Sequence, residues 1–186
     1  MLRTLPQTRQ NNLTYRLAGI AVFTALTVIC AKITIPLQPV PFTLQTFAVI
    51  MAGMVLGWRD GVWSQLAYIA LLIVGLPVDA FGRGSAAIFG PTGGYIVGFV
   101  AAAAVAGWLT EKSENRFWQR WTAGIAGAAV IHLFGVPVLA LTRGIDLMAA
   151  ASLGTIPFIV PDLAKALIAA ALTEGGRRLL LRQNPK

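Results

Sequence analysis

The 186-residue sequence has one cysteine, Cys30, one histidine, His132, and charge on only 12% of its residues. A single cysteine excludes an internal disulfide and a cysteine metal cluster. A single histidine with no neighbouring nucleophile or second ligand gives hydrolytic and metal chemistry little to stand on. Inside a long apolar run, its expected role is a ring nitrogen bonded to a neighbouring helix. There is no GxxxxGK[ST] loop, so the chain does not hold ATP in the Walker manner, and HExxH, GxSxG and carboxylates at metal-ligand spacing are also missing. No catalytic residue, no metal and no resident cofactor is expected.

What is present is apolar. Hydrophobic residues make up 56% of the chain and mean hydropathy is +0.71, whereas a soluble domain carries charge on about a quarter of its residues. Six stretches have the length and composition of membrane spans: 17–35, 41–58, 62–78, 93–110, 121–141 and 155–173. Between them lie segments with Pro, Gly or charge, TIPLQPVP, GWRDG, PVDAFGRGSAAIFGPTGG, TEKSENRFWQR and TRGID, which read as short loops. The expected fold is an all-α integral membrane protein, a six-helix transmembrane bundle forming one membrane domain over 1–186 with no linker.

Basic residues orient this bundle, because Lys and Arg near span ends stay on the cytoplasmic side. With the amino terminus inside, Arg3, Arg9, Arg16, Arg59, Lys112, Arg116, Arg120, Arg177, Arg178, Arg182 and Lys186 are cytoplasmic, while Lys32, Arg83 and Arg143 are outside. An even number of spans places both termini inside, in agreement with the basic tail. The formal net charge of +8 is therefore topological: it is scattered over membrane flanks and forms no interleaved nucleic-acid face. The basic start lacks a clear cleavage site and reads as the flank of a retained first span in a multi-pass protein of the cytoplasmic membrane.

The most unusual polar groups are Asp162 and Lys165, inside the last span. Near a bilayer centre each charge costs about 2.5–3.5 kcal/mol. Three residues apart, they share a helix face, and Pro161 places Asp162 near a helix amino terminus, where the macrodipole favours its charge. An isolated pair of this kind returns only a few tenths of a kcal/mol, which argues for a ligand as well. Other polar groups gather on the same outer side. The glycine-rich connection after the third span contributes Asp79, Arg83, Ser85, Thr92 and Tyr95, and its SAAIF stretch reads as a lid. The proline-rich first loop, with Pro36, Pro39 and Pro41, reads as a stiff extended connector leading to Phe42, Thr43 and an inward Gln45. Ala18, Ala21 and Ala25 form a small-residue stripe for close helix approach, within the bundle or against another membrane protein; Gly53 and Gly57, Gly94 and Gly98, and Ala166 and Ala170 repeat that spacing. From the residues alone, three functions stay open: capture or permeation of a compact external solute, acid–base catalysis by Asp162 and Lys165, and a structural membrane subunit.

The segments PVPFTLQT, GPTGGY and PDLAK, in this order and in these topological places, resemble the BioY family. Its members are the biotin-specific S components of energy-coupling factor (ECF) ABC-type vitamin transporters. The resemblance covers nearly the whole chain and implies a six-helix S component with both termini cytoplasmic and a ligand site opening outward. It implies biotin contacts from Asp162 and Lys165. Tyr95 and Phe42 are expected as walls, and Gln45 and Arg83 complete the candidate set. It also implies a membrane coupling protein and ABC-type ATPases as partners, docked on the Ala18, Ala21, Ala25 face. The sequence has VPD where the family has PGD. Gly82 and Ile96 stand where some relatives place an asparagine and an arginine, and Arg83 is the basic group at hand to replace one of them.

Overall fold

A computed structural model describes residues 12–113 and 116–183, with side chains described as far as Gly176. Arg3, Arg9 and Lys186, and the side chains of Arg177, Arg178 and Arg182, which carry part of the orientation argument, lie outside the described residues.

The first helix, α1 (Leu13–Lys32), starts where the side chain of Asn12 accepts from the Thr14 amide at 2.9 Å, a bond that satisfies one of the free amides of the first turn. The proline-rich connector then folds into a short antiparallel hairpin. Strand β1 (Thr34–Ile35) pairs with β2 (Phe42–Thr43), with Thr34 opposite Thr43 and Ile35 opposite Phe42. Next come α2 (Gln45–Leu56) and α3 (Trp58–Ile73). The GWRDG segment, expected as a loop, is mostly helical. Gly57 alone separates the two helices, at φ 84°, a left-handed conformation open to glycine at little cost.

A long connection carrying the four-residue helix α4 (Ala86–Phe89) leads to α5 (Gly93–Lys112), followed by α6 (Phe117–Arg143). Helix α6 ends at Gly144, φ 64°, the left-handed residue that commonly closes a helix. Asp146 caps the next helix, α7 (Leu147–Gly154), by accepting from the Ala149 amide at 2.9 Å. A single 3₁₀ turn (Ile156–Phe158) joins it to α8 (Ile159–Gln183). Pro161 occupies the first turn of α8, as its missing N–H permits.

Among the described residues, α1, α5, α6 and the continuous apolar stretch Leu147–Gly176 are each long and apolar enough to cross a membrane. The expected second and third spans are shorter as helices. At 12 and 16 residues, α2 and α3 rise about 18 and 24 Å. Residues 41–44 of the expected span belong to the hairpin, and residues 74–78 to the long connection. Lipid-type side chains face outward around the bundle, including Val22, Leu133, Leu141 and Val160. Its interior combines alanine and glycine with larger apolar side chains such as Val49, Ile50, Met54, Leu72, Phe99 and Leu139, and with a few polar contacts such as Thr24 Oγ1 donating to the Ser64 carbonyl at 2.9 Å. Small residues in the centre let helices approach closely. Gly53 illustrates the point: a Cβ there would meet the backbone of Ala103 and Gly107 across the α2–α5 contact.

Among the described residues, two ionic contacts join α6 to α8. Arg120 pairs with Glu174, and twelve residues further along α6 and twelve back along α8, His132 meets Asp162. Equal steps in opposite directions are what antiparallel packing requires. The pairs are about 18 Å apart along the helices. Arg120, read from sequence as a flanking charge, is fully buried, because the guanidinium turns inward to Glu174.

Candidate functional site

At the hairpin end of the bundle, a pocket opens among α2, α3, the 74–92 connection, α5, α6 and the start of α8. Five sequence-predicted residues line it: Gln45, Arg83, Tyr95, Asp162 and Lys165. The sixth, Phe42, lies behind Lys165 and not in the wall itself. Its ring centroid is 4.2 Å from Lys165 Nζ and it stacks on Phe158 at 6.4 Å. The lysine thus rests on an aromatic face, an attraction that grows in a dry setting.

Asp162 is the hub. Its Oδ1 accepts from Lys165 Nζ at 2.9 Å, and its Oδ2 meets His132 Nε2 at 2.9 Å. Asp162 and Lys165 are each 5% exposed, so each relies on these partners in place of water. His132 is anchored on its other side: Nδ1 lies 3.0 Å from the Gly154 carbonyl oxygen and 3.3 Å from Thr155 Oγ1. The same carbonyl accepts from the Tyr95 hydroxyl at 3.0 Å. Tyr95 reaches that oxygen because Gly135 and Gly154 have no side chains; a Cβ at either position would collide with the tyrosine. His132 was expected to bond a neighbouring helix, and it does. That its partner would be Asp162 required the α6–α8 register, which a lone histidine does not advertise.

The opposite wall comes from α2, α3 and the long connection. Gln45 is buried and donates through Nε2 to the Tyr68 hydroxyl at 2.8 Å. Asp79 is also buried and holds its own loop: its carboxylate accepts from the Phe81 and Gly84 amides at 3.1 and 2.9 Å. Arg83 leans over this turn, with Nε 3.5 Å from Asp79 Oδ2 and NH2 3.4 Å from Thr92 Oγ1. Lys32, at the end of α1, donates to the carbonyls of Pro77 and Asp79 at 2.6 and 2.7 Å and ties the connection to the first helix. Gly82, at φ 70°, shapes the turn, while Ile96 and Phe99 add apolar wall. Tyr68, Asp79, His132 and Phe158 were missed as site residues. Only Asp79 and His132 carried a sequence signal, as ionisable groups in or beside apolar runs.

The expected docking stripe lies elsewhere. Ala18, Ala21 and Ala25 are exposed on the outer face of α1, whereas Gly53, Gly94, Gly98, Ala166 and Ala170 are buried within the bundle. Among the described residues, no group of three or more His, Cys, Asp or Glu side chains is arranged to hold a metal.

A small apolar-walled cavity with a few convergent polar groups at one end of a membrane bundle is the form of a solute site. The sequence profile of the BioY family matches residues 5–182. This chain belongs to the BioY family. It is 44% identical to the biotin transporter BioY of Thermotoga maritima over 81% of this chain and 89% of that protein. It is 37% identical to the biotin transporter BioY of Rhizobium etli over 82% of this chain and 87% of that one. In three dimensions it is similar to the crystal structure of the S-component for biotin from an ECF-type ABC transporter, with a TM-score of 0.80 and 27% identity over 97% of this chain and 96% of that one. The bundle, its hairpin and its pocket therefore belong to a BioY-type membrane transport component.

Proposed function

We propose that this protein is a biotin-capturing S component and that the pocket at the hairpin end is where biotin is held. The observation that carries this reading is the buried Asp162–Lys165 pair, which faces an apolar-walled pocket and lies in the PDLAK segment. Biotin has a ureido ring with two N–H donors and one carbonyl acceptor, an apolar bicycle and a carboxylate tail. Asp162 accepts from a ureido N–H. Lys165, with one N–H on Asp162 and another face on Phe42, retains a donor for a ligand oxygen. Tyr95, Ile96 and Phe158 enclose the rings, and Gln45 and Arg83 supply polar contacts at the far wall. Charge-assisted hydrogen bonds in a dry pocket support tight capture.

The bundle in this reading is one membrane domain of six spans, with both termini cytoplasmic and the hairpin end outside. The hairpin and the 74–92 connection complete the crossings of the shorter α2 and α3. No Walker motif is present, so energy comes from partner ATPases through a membrane coupling protein, and the exposed Ala18, Ala21, Ala25 face of α1 is the docking surface. The test is titration of purified protein with biotin, for the wild type and for Asp162→Asn and Lys165→Ala. Saturable binding by the wild type is expected, weakened about 10- to 100-fold in each variant, the loss associated with hydrogen bonds to charged groups. Undiminished affinity in both variants would remove these residues from the site.

A further inference from the structure

Proton positions around His132 are constrained by what it faces. The Gly154 carbonyl can only accept and, at 3.0 Å, lies nearer to Nδ1 than the Thr155 hydroxyl does at 3.3 Å, so Nδ1 is assigned the hydrogen. A neutral imidazole has one N–H, which leaves Nε2 as a lone pair aimed at Asp162 Oδ2, 2.9 Å away. Two lone pairs do not face each other at that distance without a proton between them. That proton is on the ring, giving imidazolium and carboxylate, or on Asp162, giving imidazole and carboxylic acid. With Lys165 protonated, the net charge of the three residues is +1 in both arrangements.

The remaining ionisable residues that line the pocket do not alter this balance, and Lys32, outside the lining, is held by the carbonyls of Pro77 and Asp79. Asp79 and Arg83 are 3.5 Å apart and cancel. Tyr95 donates its hydroxyl hydrogen to Gly154 and is neutral, and Tyr68 is a neutral phenol between Gln45 and the Val78 carbonyl. Without His132 the lining residues Asp79, Arg83, Asp162 and Lys165 would sum to zero. We propose that His132 supplies the one proton that leaves the pocket with a single net positive charge, so that the site is built for a monoanion and His132 sets that preference. This rests on the biotin reading above, and it turns the carboxylate of the ligand into a recognised feature even where Ile96 offers no basic group.

The experiment compares biotin with biotinamide, its uncharged amide, on the full-length protein in detergent. Wild type is expected to bind biotin at least about tenfold more tightly than the amide, as an unscreened unit charge in a pocket of reduced dielectric requires. His132→Gln keeps a donor towards Asp162 but brings the lining charge to zero, so the ratio falls about tenfold. His132→Asn, with its amide donating towards Gly154, gives the same neutral pocket if the glutamine variant does not fold. Asp162→Asn offers its N–H to a neutral His132 and leaves Lys165 charged, so it retains the wild-type ratio although both ligands bind more weakly. Equal weakening of both ligands by the His132 variants would make the residue a packing element only and overturn the proposal. An unchanged ratio in those variants, a wild type that does not discriminate, or loss of the ratio in Asp162→Asn would overturn it as well. A wild type that binds neither compound would instead defeat the biotin reading.

Discussion

Helices α6 and α8 exchange charge at two levels, and the levels are built differently. At the end away from the hairpin, Arg120 pairs with Glu174, with the guanidinium fully buried. At the hairpin end, one carboxylate serves two nitrogen bases, Lys165 and His132, and a pocket opens beside them. Desolvating charge is costly in both places. In the first the two opposite charges meet each other inside the helix packing. In the second the protein leaves a cation in excess, which a ligand can complete. A buried ion pair in a membrane bundle therefore does not by itself announce a binding site. An unbalanced one beside a cavity does.

The contrast can be broken most forcefully at the Arg120–Glu174 level. Arg120→Ala removes a buried ionic partner of Glu174 and is expected to cost about 3–5 kcal/mol of stability, whereas Arg120→Met combined with Glu174→Leu restores most of it; thermal unfolding in detergent measures both. If the single and double variants unfold alike, the pair is not a latch between the helices. At the hairpin level, Gly154→Ala pushes a methyl group into Tyr95 and the carbonyl it shares with His132. Overpacking of this kind costs about 1–3 kcal/mol, and biotin affinity should fall along with melting temperature. Affinity that holds while stability drops would separate the tyrosine from the site. Lys32→Met removes two donors from the 74–92 connection and is expected to loosen ligand retention by about 1 kcal/mol, seen as faster biotin dissociation at an unchanged association rate. The smallest effect is expected for Arg16→Ala. Its ion pair with Asp60, 2.7 Å long, is 41% exposed on the arginine side, so about 0–1 kcal/mol of stability and no biotin affinity should be lost.

The two levels were unequally legible in the sequence. Asp162 and Lys165 stood out because charge inside an apolar run is expensive wherever the helix ends up, and Pro161 fixed where that helix could start. Gln45 was predicted inward on the same reasoning. Arg120 and Glu174 border polar segments, where a charge normally reaches water, and only the pairing of α6 with α8 turns them inward. His132 posed the same difficulty, since its partner is 30 positions away. The apolar runs marked the long helices well but misjudged α2 and α3, because hydrophobicity does not separate a helix from the extended residues 41–44 that precede it. The register of the hairpin and the single-residue break at Gly57 depend on backbone geometry that composition does not encode. Sequence spacing could not decide between inward and outward small-residue stripes, which differ only in the face they share with a neighbour.

Lys32 links two parts of the molecule that have been described separately. It is the last residue of α1, whose outer face bears the exposed alanines, and its ammonium group holds the backbone of residues 77–79 in the connection beside the pocket. A rigid helix transmits a push at one point to its far end. If a membrane partner seated on the alanine face tilts α1, the tilt must either carry residues 77–79 with it or break both hydrogen bonds, and each outcome alters the rim over the ligand. Release of cargo would then be timed by docking, through a lever one helix long with a two-bond hinge pin.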